Sequence, residues 1–170
     1  MKTFRVSLII MAVCSLLIGS APMTAYSTSA LAVGTNDLSS ETLQELARAR
    51  GATAKYHDIA QAEADGYINV HAYESGEGFH LVKPSLVDGN FDPEQPEVLL
   101  YAPVPGENRL ELVAVEYAIP LVLSSEAPAG FTGDADVWQQ QHEPPVWKVV
   151  AWIWLHNPTG IFTTTNPRVP

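Results

Sequence analysis

The chain of 170 residues carries one cysteine, Cys14. No disulfide can close within it, and no pair of thiolates is available for redox exchange or metal binding. Positive charge is also scarce. Nine Lys and Arg stand against 19 Asp and Glu, giving a net charge of −10 at pH 7. Such a surface repels phosphate backbones and anionic headgroups, so neither a nucleic-acid partner nor a membrane surface is expected. No apolar run approaches the roughly 20 residues of a comfortable membrane-spanning helix. Short catalytic signatures are missing too. There is no G-x-S-x-G, no H-x-H and no H-E-x-x-H, and the cupin pattern is absent. Gly76-Glu77-Gly78 is too short for a nucleotide loop and leads into a strand rather than a helix.

What is present begins with a leader. Lys2 and Arg5 precede an apolar stretch from Val6 to Ile18, and small residues follow up to Ala30-Leu31-Ala32. That is the build of a secretory signal peptide with an A-x-A cleavage site; an uncleaved anchor is the alternative. Cys14 follows Val13 inside the apolar core, which does not fit a lipoprotein. Residues 1–32 are therefore read as the leader and 33–170 as one secreted or periplasmic domain. Cleavage would leave seven of the nine basic residues against all 19 acidic ones, and no cysteine. An exported domain without disulfides must be held by packing, helped by a metal or a partner.

Along the domain, Val33 to Asn36 reads as a tether, and Asp37 and Ser39 as helix-start residues. Leu43, Leu46, Ala47 and Arg50 fall at helical spacing; Gly51 interrupts, Thr53 can cap again, and Asp65-Gly66 closes a second segment. The expectation is a kinked helix or two short helices. Strand grammar follows: Ile68–Tyr73, Phe79–Lys83, Val98–Tyr101, Arg109–Ile119 and Val146–Leu155. Residues 123–145, rich in Pro, Gly and acid, read as a surface excursion. The tail after Asn157 reads as ordered coil, because Ile161 and Phe162 need cover. The fold class is α+β: an N-terminal helix or helix pair on a curved antiparallel sheet of about five to six strands.

Strict alternation in the fourth strand puts Leu110, Leu112, Ala114, Glu116 and Ala118 on one face. Glu116 must then be paired, hydrogen-bonded, protonated or on a metal, since burying it bare costs several kcal/mol. In the last strand Lys148, Val150, Trp152, Trp154 and His156 share a face. His80 follows the turn at Gly76–Gly78. His80, Glu116 and His156 could thus meet in one apolar-walled hollow, a donor set suited to Zn, Fe or Mn. The alternative is that the histidines satisfy strand-end backbone groups while Glu116 pairs with Lys148 or Arg109. His71 and His142 are reserves, and His57 is expected in solvent. Asp88, Asn90 and Asp92 alternate as at the start of a calcium loop, but Pro93 stands where such a loop needs glycine and Leu99 where it needs glutamate. The four tryptophans and their neighbouring tyrosines are core, or the wall of a ligand cleft.

The strings YHDIAQAEADGY, GEGFHLVKP, PEVLLYAP, LVAVEYAIP and WIWLHNPTGIF resemble a family of small secreted bacterial proteins of unassigned activity. The resemblance spans about 55–168. It implies export and one compact domain and brings no reaction with it. On the residues themselves the expected function is an exported binding domain for a metal ion or small molecule. A metal-assisted hydrolase or oxygenase, and a structural domain of the cell envelope with no site, are the alternatives.

Overall fold

The computed structural model describes residues 38–170; the leader read at 1–32 and the cap candidate Asp37 lie outside the described residues. Helix α1 runs Ser40–Thr53 and helix α2 Ile59–Ala64, joined by a 3₁₀ turn at Ala54–His57. Ser39 caps α1 by accepting from the Thr42 amide, and Asp58 caps α2 by accepting from that of Ala60. Each replaces an intrahelical partner that a first-turn N–H lacks. The expected break at Gly51 does not occur. Gly51 lies on the exposed side of α1, and the chain turns after Thr53 instead, whose hydroxyl bonds back to the Ala49 carbonyl. Gly66, at φ +95°, ends α2, with the Tyr67 amide reaching back to the Ala62 carbonyl.

Six strands follow: β1 Ile68–Glu74, β2 Gly78–Val82, β3 Val98–Pro103, β4 Leu110–Pro120, β5 Gln139–His142 and β6 Pro145–Ala151. They form one antiparallel sheet in the order β1-β2-β3-β4-β6-β5, curled into a half-barrel, with the N-terminal helix packed on it. The α+β expectation and the strand number hold. β5 was not expected. Its sequence, QQQH, has no apolar alternation, and it forms as an outer edge paired only to β6.

Two irregularities set the faces. Leu100 pairs with Ala114 but Tyr101 pairs with Leu112, so Val113 is an extra residue in β4. A bulge of this kind flips the side-chain phase. Leu112 therefore lies in the helix-side core with Leu81, Leu99, Tyr101, Val115 and Tyr117, while Ala114 and Ala118 lie in a second core with Val98, Leu100 and Val150. Glu116 sits between Ala114 and Ala118 on that second face, not beside Leu110 and Leu112 as unbroken alternation implied. The bulged Val113 carbonyl accepts from the amides of both Trp154 and Leu155.

The second irregularity ends β6 at Ala151. The Trp152 amide donates to the Ile161 carbonyl (2.9 Å), and the Trp152 indole to that of Thr163 (2.6 Å). The chain leaves the ladder there. Trp152 and Trp154 consequently join different cores. Trp154 packs edge-on against His57 and under the Arg50 guanidinium.

The helix-side core is aromatic and its hydroxyls are used. Tyr101 donates to the Tyr56 carbonyl, Tyr67 to Pro96 and Tyr117 to Pro93. Two of these acceptors belong to the acidic-proline loop, whose proline peptides have no N–H with which to join a ladder. Phe91, Phe131 and Phe162 close this core from the loop, the excursion and the tail. Phe131 is buried, so the excursion is anchored, and Thr132 is further tied to Glu45 of α1 at 2.8 Å. Burying one such phenyl ring stabilises by about 2–3 kcal/mol.

The tail runs as a strap across the sheet. Asn157 and Asn166, both buried, each precede a proline, and each accepts through Oδ1 from an amide two residues on, Thr159 and Arg168. The Asn166 amide donates to the Gly76 carbonyl, and the Gly76 amide to the Pro170 oxygen. The strap is thus fastened to the β1–β2 turn, and its Val169 packs into the second core. Among the described residues no helix is long and apolar enough to cross a membrane.

Candidate metal centre

The second core holds four ionisable side chains. Glu77 enters from the β1–β2 turn, His80 from β2, Glu116 from β4 and Lys148 from β6; all four are buried. Lys148 lies directly opposite Ala118 in the ladder, and the small side chains of Ala114 and Ala118 leave room for the longer ones. Glu77 and Lys148 belong to opposite parts of the sheet. β2 and β6 are separated by β3 and β4, about 14 Å along a flat sheet. Yet the Lys148 ammonium lies 2.9 Å from Glu77 Oε2. Only the curl brings them together, so this face is the inside of the half-barrel.

Lys148 Nζ is also 3.4 Å from Glu116 Oε2, but outside hydrogen-bonding geometry, and that oxygen has no partner. His80 Nε2 lies 3.4 Å from Glu77 Oε2, and His80 Nδ1 is buried without a partner. Burial alone would raise the Glu77 carboxyl, but His80 and Lys148 outweigh it and hold it below its ordinary range. Burial likewise pushes the Lys148 ammonium down, and the Glu116 charge with the Glu77 hydrogen bond more than restores it. Glu116 is raised by burial, only partly offset by Lys148 and His80. For His80, burial works against the charged form, but Glu77 and Glu116 raise it overall. Glu77 and Lys148 are the ionised pair, and both His80 and Glu116 are biased toward protonation.

Glu74, at the exposed end of β1, completes a second grouping. Glu74, Glu77 and His80 each offer a ligand atom, and all three atoms lie within 4.8 Å of one another. This Glu/Glu/His group could hold a metal ion. It is built locally: a tight turn with Gly76 at φ +82° and Gly78 at φ +99° folds residues 74–80 back on themselves. Opposite His80, β1 bulges through Val70, His71 and Ala72, with His71 in the left-handed region at φ +56°. The Asn69 side chain steadies this bulge by accepting from the His71 amide.

Of the sequence candidates, His80 and Glu116 reach the same buried cluster and His156 stands elsewhere. It is exposed, on the rim of a surface cleft of about 580 Å³ that also meets Trp152 and Phe162. Among the described residues no hydrogen bond or ion pair joins its side chain to His80 or Glu116. The reason is the end of β6 at Ala151, beyond which alternation no longer fixes direction. Glu116 does pair with Lys148, one of the two partners considered for it. The other, Arg109, pairs with Glu107 at the surface. Sequence reasoning passed over Glu74 and Glu77. The spacing E-x-x-E-x-x-H around two glycines is the signal that could have found them. Asp88 and Asp92 accept from the amides of Asn90 and Glu94, an ordinary pair of Asx turns. Trp138, Trp152 and Trp154 pack against the two cores.

A scan of protein-family models and searches of curated proteins and of solved structures find no match to this chain.

Proposed function

We propose that this chain is an exported small binding domain that takes a divalent transition-metal ion on the β1–β2 turn, with Glu74, Glu77 and His80 as its protein ligands. One observation carries the reading: three donor atoms of the right chemistry lie within 4.8 Å of one another, on a turn whose Glu77 and His80 are already buried. One imidazole and two carboxylates suit Zn, Fe or Mn. The exposed Glu74 gives the ion an approach from solvent. Three protein ligands leave at least one coordination position for water or a small ligand.

A second reading, a buried ion network with a purely structural role, is favoured by the 2.9 Å contact between Lys148 and Glu77. Elemental analysis of tag-free protein, followed by calorimetric titration with Zn²⁺ and Mn²⁺, separates the two. One equivalent of metal is expected, with Glu77→Gln and His80→Ala each weakening it more than tenfold and His156→Ala leaving it unchanged. Failure of the wild-type protein to bind Zn²⁺, Fe²⁺ or Mn²⁺ at any loading leaves the structural reading alone.

A further inference from the structure

The ion network and the metal ligands share one oxygen. Glu77 Oε2 accepts from Lys148 Nζ at 2.9 Å and faces His80 Nε2 at 3.4 Å. A divalent ion coordinated by Glu77 and His80 would sit against the Lys148 ammonium, and the two cations would compete for that carboxylate. In a buried site such competition is poorly screened. The second core also contains an acceptor with nothing bound to it. Glu116 Oε2 is buried without a hydrogen-bond partner, 3.4 Å from the same ammonium. An ammonium carries three donors and swings on a flexible stem. The distance already allows a hydrogen bond, and a reorientation of the ammonium toward Glu116 would complete one there.

Resting on the metal reading above, we infer that Lys148 is the resident counter-cation of the site and Glu116 its alternative partner. Metal entry then works as a cation exchange: the ion takes Glu77, and Lys148 passes to Glu116. Lys148 and Glu116 are positioning residues, since neither is a ligand. The arrangement explains three observations together. A lysine is buried on the inside of the sheet beside two carboxylates rather than one. One of those carboxylates keeps an unfilled acceptor. The ladder residues flanking it, Ala114 and Ala118, are small. Without the metal, Lys148 holds Glu77 and keeps the cluster from carrying uncompensated negative charge.

The test uses the full-length protein and Zn²⁺ alone. In a crystal structure of the Zn²⁺-loaded wild type, Lys148 Nζ is expected within hydrogen-bonding distance of Glu116 and no longer of Glu77. Titration supplies the energetic arm. Glu116→Gln should weaken Zn²⁺ at least tenfold, because Lys148 is left with Glu77 as its only carboxylate. The double variant Lys148→Met/Glu116→Gln also removes the ammonium that competes with the ion for Glu77. It should bind at least as tightly as the wild type. That reversal cannot come from direct attraction between Glu116 and the ion, which both variants lack equally. A Zn²⁺-loaded structure with Lys148 still on Glu77, or equal weakening in the single and double variants, overturns the exchange while leaving the metal site standing. Failure of the wild type to bind Zn²⁺, Fe²⁺ and Mn²⁺ alike overturns both.

Discussion

Glu97 shows what a single residue can set in this fold. It is 1% exposed at the foot of β3, where its side chain accepts from the Ala118 amide and so caps the ladder beyond the last β3–β4 pair, Val98 and Glu116. Burial pushes its carboxyl up to about 8, against an ordinary value of 4.5. The folded state therefore holds a proton that the unfolded chain releases above about 4.5. A raised folded value gives stability that is complete below the unfolded one and is lost as pH climbs through the folded one. Unfolding free energy should accordingly fall between about pH 4.5 and pH 8, by on the order of 5 kcal/mol in total. Glu97→Gln keeps an acceptor for Ala118 and cannot ionise. It should flatten that slope and raise the melting temperature at pH 8. Urea unfolding curves measured at intervals between pH 5 and pH 9 decide it: an unchanged slope in the variant would place the titration elsewhere. Nothing in the sequence marks Glu97, because the amide it accepts from belongs to Ala118, 21 residues on in β4.

At the scale of elements, the close approach at Gly78 is the sharpest constraint. Gly78 opens β2 at φ +99°, and a Cβ there would lie 2.3 Å from the Tyr101 carbonyl oxygen of β3. Backbone cannot swing aside as a side chain can. Gly106 has a similar φ, +80°, in open space. Gly106→Ala should thus cost only the conformational penalty, about 1–2 kcal/mol. Gly78→Ala should cost 3 kcal/mol or more (a range reached only by steric or buried-polar defects) and should drag Glu77 and His80 out of place with it. Thermal unfolding of the two variants side by side checks the contrast, and equal losses would mean that β2 and β3 can part at little cost. The elements themselves were largely legible. Ser39 and Gly66 start and stop helices through local hydrogen bonds that a short window contains, whereas the second cap expected at Thr53 is made by Asp58. The apolar run of β3 and the length of β4 announced themselves for the same reason. Three things were not local. Val113 bulges because Trp154 and Leu155, some 40 residues on, need its carbonyl. β6 stops because Ile161 and Thr163 capture Trp152. β5 exists only because β6 offers it an edge. Each shifted a face or a direction, which is why His80 and Glu116 were placed in one cluster while His156 was carried away from it.

For the whole molecule, the strap and the candidate metal centre are a single mechanical unit. Gly76, between the proposed ligands Glu74 and Glu77, is bonded on both sides to the tail: its carbonyl to the Asn166 amide at 2.8 Å, its amide to the Pro170 oxygen at 3.2 Å. Tyr73 donates to that same oxygen, and Thr165 packs on the Gly76 Cα side. Asn166 is fully buried, and its side chain donates to the His156 carbonyl while accepting from Arg168, so one amide side chain fixes both ends of the strap. A chain with no disulfide has few other means of holding its tail over an inner core that contains four ionisable groups. A ligand that binds only the closed turn stabilises everything that must open with it, by about 2.7 kcal/mol at a hundredfold excess over Kd. Saturating Zn²⁺ should therefore slow amide exchange not only at Glu77 and His80 but also at Asn166 and Val169, by a factor of ten or more. Asn166→Ala leaves its own backbone amide in place and removes the side-chain tie. In that variant the protection should persist at the turn and be lost along the strap. Hydrogen exchange followed residue by residue gives the answer. Protection confined to the turn in the wild type would show that the strap opens on its own, and that the proposed metal ligands and the tail are neighbours without being coupled.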